Sequence, residues 1–458
     1  MNDTRKLESS VTRSPGLQVS HVIDWPCNAG LKVVVDAKAT KTAIRRASYA
    51  AFVKRDGRKA SPIQECLRLT ASESVLILES AVPGFACRHV INESDGLVVI
   101  EQGSVCVPAA SIKTVMSRIE DGHTVSIGFA PALQTPPIFK MQPITAVMPD
   151  GVVRIGVIKG TRASRGVVID SYPVSSFKAF DFADPSSLIP VIDGDGALIG
   201  RAWDMVRFAI NKNDMDIWSN NVAFFPAGNS LYILGSDGRR CTVMRLKSAV
   251  PSGSHTNFDV PLLVHAKYLA LILAGIKAGE HVVMVTDPDD SDVYIIAGGS
   301  SYCIRMPCKD QRAKYPHYER LTGLDSGAVI IVSRDELLEV GDSIGVVNRE
   351  HVRLSFHEND DAIEFKSVGI GALTEAVGTV NYSLVSEQVI KSGTMALHMR
   401  YLLDALEQMS GLNVKMSFTP DECRVKLEDP EAHDFAYYMQ VLPPQSARNT
   451  NKVDMGQP

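Results

Sequence analysis

The strongest chemical signal in the sequence is a run of cations. Residues 38–59 hold Lys38, Lys41, Arg45, Arg46, Lys54, Arg55, Arg58 and Lys59 against one acid, Asp56, a net charge of +7. The whole chain carries 47 Lys+Arg and 52 Asp+Glu, a net −5, so the remainder holds −12. Positive charge polarised in this way suits phosphate contacts, which are electrostatic and blind to base sequence. The plainer alternative is a solvated basic helix face. Other patterns carry less. Asp287-Pro288-Asp289-Asp290-Ser291-Asp292 has the look of a calcium loop, but Asp292 stands where Gly is needed and Gly298 where Glu is needed, so a solvated turn is expected. Asp193-Gly194-Asp195-Gly196 is also read as a turn. No GxxxxGK[ST], GxSxG or HExxH pattern occurs, and no two of the eleven His residues stand four apart. Nothing in the sequence supports a catalytic or metal site.

The elements that must position these charges repeat along the chain. Segments 105–129, 263–287 and 396–419 each read as a helix, a short turn with Gly and an alternating strand. The helices carry apolar stripes at i, i+3, i+4 and i+7: Ile112, Val115, Met116 and Ile119; Leu269, Ile272, Leu273 and Ile276; Leu402, Ala405, Leu406 and Met409. Their strands alternate through Val125/Ile127, Val283/Val285 and Val414/Met416. A hairpin precedes each, at 65–80, 221–237 and 351–367, and before each hairpin lies another helical stretch, at 38–54, 202–211 and 334–347. Repeats longer than 100 residues are tandem domains rather than solenoid units of about 20–50. The expected organisation is 30–192, 193–322 and 323–445, with polar flanks at 1–29 and 446–458. Residues 131–150, with five prolines, read as an insertion between strands of the first domain.

Composition agrees with a globular α+β chain. Apolar residues make up 45% and charged residues 22%, which excludes collagen-like, disordered and membrane-embedded classes. At about 150 residues per domain, 458 residues again give three. The polar start has the character of no secretory signal, and no apolar run spans a bilayer. The eight cysteines form no CxxC and read as reduced and mostly buried, in a cytoplasmic protein.

With these elements in order, the sequence resembles the bacterial replicative sliding clamp, the beta subunit of the replicative polymerase, across about 30–445. Ser236-Asp237-Gly238-Arg239-Arg240 is similar to the family's Thr-Asp-Gly-His-Arg, and Tyr315-Pro316-His317-Tyr318 to its Phe-Pro-Asp-Tyr. Tyr401-Leu402-Leu403-Asp404-Ala405-Leu406 and the closing 436–442 strand complete the match. The resemblance implies three tandem clamp-type domains, each with two helices packed on β-sheet. Two chains would close head to tail into a six-unit ring, leaving no sheet edge exposed. Such a homodimer encircles duplex DNA and tethers a DNA polymerase as a processivity factor, at high effective concentration. The resemblance further implies no catalysis and no cofactor, opening by a clamp-loader ATPase, other partners with a clamp-binding motif, no membrane, and a nucleoid-associated place in the cytoplasm. Three alternatives stay open: an accessory clamp for a plasmid, phage or repair polymerase, a clamp-like scaffold that does not encircle DNA, and an enzyme of unfamiliar α+β type.

The resemblance carries two sets of site residues. For DNA, Arg58 matches an arginine after a glycine and Lys267 a lysine before the second-domain helix; Arg45, Arg46, Lys59, Arg207 and Lys212 join them by placement. The stretch 334–350 departs, with a net charge of −3, so either DNA tilts toward the first domains or this acidic side faces away. For partner peptides, the implied pocket is Gly238, Arg239, Arg240, Pro316, Arg320, His398, Tyr401, Tyr438, Gln440, Val441 and Leu442. Arg239, Cys241 and Gln440 stand where His, Leu and Met are usual, which makes the pocket more polar.

Overall fold

The computed structural model describes residues 30–52, 61–131, 149–159, 162–184, 187–210, 220–227, 229–247, 260–287, 291–315, 328–348, 350, 352–356, 361–368, 374–385, 393–419, 424–432 and 434–440. The chain forms two compact units, Met1–Val82 with Ala86–Phe180, and Pro83–Phe85 with Asp181–Pro458. The first repeat contributes β1 (Lys32–Asp36), α1 (Ala37–Ala47), β2 (Cys66–Ser72), β3 (Val75–Val82), β4 (Phe85–Asn92), β5 (Val98–Glu101), β6 (Gly103–Pro108), α2 (Ala109–Ser117), β7 (Thr124–Pro131), β8 (Gly151–Lys159) and β9 (Arg162–Ser171). The second contributes β10 (Ile189–Asp195), α3 (Gly196–Arg207), β11 (Asn221–Ala227), β12 (Ser230–Ser236), β13 (Arg240–Lys247), β14 (Leu262–His265), α4 (Ala266–Leu273), β15 (His281–Thr286), β16 (Asp292–Ala297) and β17 (Ser300–Arg305). The third contributes β18 (Val329–Ser333), α5 (Arg334–Gly345), β19 (Val352–Phe356), β20 (Ala362–Val368), β21 (Glu375–Leu384), β22 (Gly393–Leu397), α6 (Met399–Leu406), β23 (Asn413–Thr419), β24 (Arg424–Glu428) and β25 (Phe435–Gln440).

Helices α1–α6 each follow a strand with almost no linker, so the strand's end serves as the helix start. Asp36 accepts from the Ala39 amide at 2.9 Å, Asp195 from Ala197 at 2.8 Å, and Ser333 from Glu336 at 3.4 Å. These caps occupy amides that a first helical turn leaves without partners. Pro108 and His398 precede α2 and α6 without a side-chain cap. The segment 193–196, expected as a turn, is instead the end of β10 and the start of α3. Gly196 fits there because a Cβ would lie 2.5 Å from Ile276 Cγ2 and 3.0 Å from the Glu280 carbonyl oxygen. The helix therefore begins six residues ahead of the 202 expected from the sequence pattern.

In the first unit the sheet order β5-β1-β7-β8-β9 lies beside a run of β4, β3, β2 and β6. The two helices close one core with them. Ala43, Ile44 and Ala47 of α1, Ile112 and Met116 of α2, and Leu67, Leu76, Val125 and Ile127 of the strands are all 1% exposed or less. The insertion leaves and re-enters at paired positions, Pro131 opposite Gly151.

The second unit holds the run β10-β15-β16-β17 and a twelve-stranded sheet in the order β14-β11-β12-β13-β25-β24-β23-β18-β21-β20-β19-β22. β13 and β25, from different repeats, pair from Arg240 opposite Met439 to Met244 opposite Phe435. This unit also includes residues 181–192, because β10 pairs along β15. Leu402, Ala405 and Leu406 of α6 are fully buried and Met409 nearly so, matching the apolar stripe in the sequence. Of the six described cysteines, five are buried and Cys308 is exposed. Among the described residues no helix is long and apolar enough to cross a membrane.

Candidate nucleic-acid and partner interfaces

The candidate partner site is built on the turn between β12 and β13. Asp237 Oδ1 accepts from the amides of Arg239 and Arg240, both at 3.0 Å, and Ser236 Oγ accepts from Gly238 at 3.1 Å. Gly238 has φ +83°, a left-handed conformation that side chains disfavour. The turn aims Arg240 inward while Gly238 and Arg239 stay exposed. The Arg240 guanidinium donates to Asp237 Oδ2 at 3.0 Å, to Asp404 Oδ2 at 2.5 Å and to the Phe208 carbonyl at 2.7 Å. It also lies 4.3 Å from the centroid of the Tyr401 ring, within cation–π range. His398 stacks on the same ring, its centroid 4.3 Å from that of Tyr401 with planes 13° apart.

Arg240 therefore ties the second repeat to α6 of the third. Burial disfavours its charge, but its hydrogen bond to Asp404 and the fields of Tyr437 and Asp237 raise its affinity for the proton above the usual arginine value. Sequence reasoning missed Asp404 as a member of the site. The available signal was its spacing of three from Tyr401, which puts both on one helix face.

Gly238, Arg239, Arg240, His398 and Tyr401 are thus brought together. Tyr438 is not an open wall. Paired opposite Cys241, it is 3% exposed and packs among Phe225, Leu234, Leu263 and Tyr315. This apolar setting pushes the Tyr438 phenol up, first by burial and then by Glu428, and the Cys241 thiol up to about 12. Gln440 is placed by backbone pairing opposite Arg424. Pro316, Arg320, Val441 and Leu442 lie outside the described residues.

The cations divide differently. Lys38, Lys41 and Arg45 fall at i, i+3 and i+7 on α1, opposite its buried face. Lys38 and Arg45 are exposed, and Lys41 Nζ meets Asp121 Oδ1 at 2.7 Å, which holds the Asp121 carboxyl below its usual range. Arg46 corrects the sequence expectation. It sits between Ala43 and Ala47 on the inner stripe and is 3% exposed, so its guanidinium is enclosed rather than offered to phosphate. Arg207 and Lys267 are exposed at the end of α3 and the start of α4, and Arg207 Nε lies 3.0 Å from Asp204 Oδ1. Both border one cavity of about 600 Å³ between these helices. Arg58, Lys59 and Lys212 lie outside the described residues. On α5 the exposed side chains include Asp335, Glu336, Glu339 and Asp342, while Arg334 turns back to the Leu406 carbonyl at 2.8 Å. Among the described residues no group of three or more His, Cys, Asp or Glu side chains is arranged to hold a metal.

Residues 323–443 match the sequence model for the C-terminal domain of the DNA polymerase III beta subunit. No curated protein matches the chain by sequence. Among solved structures, the Caulobacter crescentus pol III beta superposes with TM-score 0.72 at 17% identity, over 90% of this chain and 100% of that one. The DNA polymerase sliding clamp from Bacillus subtilis gives 0.71 at 15% identity, over 91% and 100%. The Pseudomonas aeruginosa sliding clamp gives 0.69 at 14%, over 90% and 100%. The chain therefore has the sliding-clamp fold, three tandem repeats of two helices on β-sheet, and its residues 323–443 match the model of that C-terminal clamp domain.

Proposed function

We propose that the chain is a DNA sliding clamp: a cytoplasmic homodimeric ring that encircles duplex DNA and tethers a DNA polymerase. The observation that carries this reading is the fold itself, which extends over the full length of the clamps it superposes on. Two further features support it. The exposed Lys38 and Arg45 give α1 a cationic face suited to phosphate, and the residues placed with them in this role are Arg58, Lys59, Arg207, Lys212 and Lys267. The chain also leaves two strand edges of the kind that would join copies. Within the chain, β13 of the second repeat pairs with the last strand of the third, β25. The counterparts of these strands are β21 in the third repeat and β9 in the first. β9 ends its sheet, with Val167 45% and Val168 58% exposed; β21 lies between β20 and β18, but β18 reaches only Tyr382–Leu384, so among the described strands the Glu375–Asn381 stretch, with Val377 52% exposed, is paired on one side alone. Pairing β9 of each copy with β21 of the other makes two equivalent joints and closes a ring.

In this reading the protein performs no chemistry, holds no cofactor, is opened by a separate loader ATPase, and receives polymerase and other partner peptides near Tyr401 and Arg239. The deciding experiment loads the protein on nicked circular DNA and then linearises it. Release on linearisation supports encirclement, and equal retention on both forms refutes it. A second reading, an accessory clamp with altered partner choice, is favoured by the exposed Arg239 and by Tyr438 being packed into the core instead of standing open to a peptide. Affinity for peptides from replicative and repair polymerases, compared on one preparation, separates the two.

A further inference from the structure

The three helix pairs are not packed alike. In the third repeat α5 lies close on α6 through Gly341, where a Cβ would come within 2.7 Å of Leu403 Cδ2 and 3.2 Å of Met399 Sδ. Counted from the N-caps, the corresponding residues of the second repeat are Trp203 on α3, and Ala270 and Ala266 on α4. The large and small residues have changed sides. Trp203, half-exposed, stands between the helices, and the two alanines leave a flat opposite wall. The result is the cavity of about 600 Å³, whose lining also includes Phe208. That size falls within the range of small-ligand pockets, about 300–1,000 Å³.

The chemistry at this slot selects among occupants. An indole beside small side chains suits a planar ring, and Lys267 stands exposed at the border for an anion, as does Arg207, which also pairs with Asp204 of the same lining. The side-chain amides of Asn220, 8% exposed, and Gln408 also line it. An aromatic platform, neighbouring cations and amides able to meet a ring edge are the requirements of a single-stranded nucleotide. We propose that the slot between α3 and α4 takes an unstacked nucleotide of single-stranded DNA, the base on Trp203 and the backbone phosphate toward Lys267 and Arg207. This deepens the reading of the chain as a clamp, since a clamp at a primer end meets single strand as well as duplex.

The test titrates the full-length protein with a labelled oligothymidylate and with a blunt duplex of equal length. Loss of one stacked base weakens binding by about tenfold or more. Trp203→Leu is expected to weaken oligothymidylate binding by that factor and leave the duplex unaffected. Ala270→Phe, which fills the slot from the other wall, should do the same and decides the matter should Trp203→Leu fold poorly. Wild-type protein that ignores the oligonucleotide, or an Ala270→Phe variant that binds it as well as wild type, overturns the proposal. So does displacement by oligoglutamate at equal charge, which would mean that only the cations are read. A chain that binds oligothymidylate through the slot but is retained equally on circular and linear duplex loses the clamp reading and keeps this one.

Discussion

Replacing Arg240 with Met keeps most of the side chain's bulk and removes its charge and all three hydrogen bonds. Asp237 and Asp404 are then left facing each other, their side chains only 12% and 26% exposed, without the cation between them. Hydrogen bonds to charged groups contribute about 1.5–3 kcal/mol each. Partial hydration of Asp404 and the retained apolar stem reduce the total, so a loss of about 3 kcal/mol is expected. For a unit of this size that lowers Tm by roughly 6 °C. Asp404→Asn preserves shape and an acceptor and should cost about 1 kcal/mol. Because the two residues touch, the double variant should lose less than the sum of the singles, by about 1 kcal/mol. Calorimetry or thermal fluorescence on the four proteins closes the cycle, and limited proteolysis shows whether the joint between β13 and α6 opens first. If Arg240→Met melts within about 1 °C of wild type, or the two substitutions simply add, Arg240 does not hold the repeats together.

Five shorter expectations follow from other parts of the molecule. Arg45→Glu should weaken retention on circular DNA and reduce the salt dependence by about one counterion. Arg46→Met should instead lower Tm while leaving that salt slope unchanged, and the reverse pattern would refute the burial argument. Val168→Lys combined with Val377→Lys should convert the dimer to monomer by light scattering; a persisting dimer would mean that the joint lies elsewhere. Among the described cysteines, Cys308 should alkylate first in peptide mapping at pH 8, since burial pushes Cys66, Cys106 and Cys241 up to about 12. Finally, burial raises the Glu428 pKa, but hydrogen bonds and charge from Lys426 and Lys415 lower it further, below its ordinary value. A depressed carboxylate contributes stability above its unfolded pKa and loses it as pH falls through the folded one. The acid limb of a Tm-against-pH curve should therefore be shallower in Glu428→Gln, and coincident curves would exclude the contribution.

Much of the architecture is legible in the sequence because burial writes itself as periodicity. The stripes Ile112/Met116 and Leu402/Leu406 are buried as spaced, and the hairpins pair across the expected turns. What failed to read locally depended on neighbours far along the chain. The glycine at 196 looks like a turn until Ile276 and Glu280 are placed against it. Arg46 adds one charge to a sum over residues 38–59, but a sum has no direction, and the Ala43–Ala47 stripe around it turns it inward. Tyr438 has the composition of a binding wall, and only the pairing of β25 with β13 shows it filling the core. Asp404 became part of the site because Arg240, distant in sequence, reaches across to it.

The pairing of Pro131 with Gly151 has a practical consequence. The chain exits and re-enters the sheet at neighbouring points on antiparallel strands, so the register of β7 and β8 is independent of how many residues run between them. Closing a longer excursion costs little, about 0.6 kcal/mol for each doubling of its length. The stretch 132–150 is therefore a natural splice point for a fluorescent or affinity domain. Such an internal label would leave both termini free for other tags and would let single particles be followed along DNA.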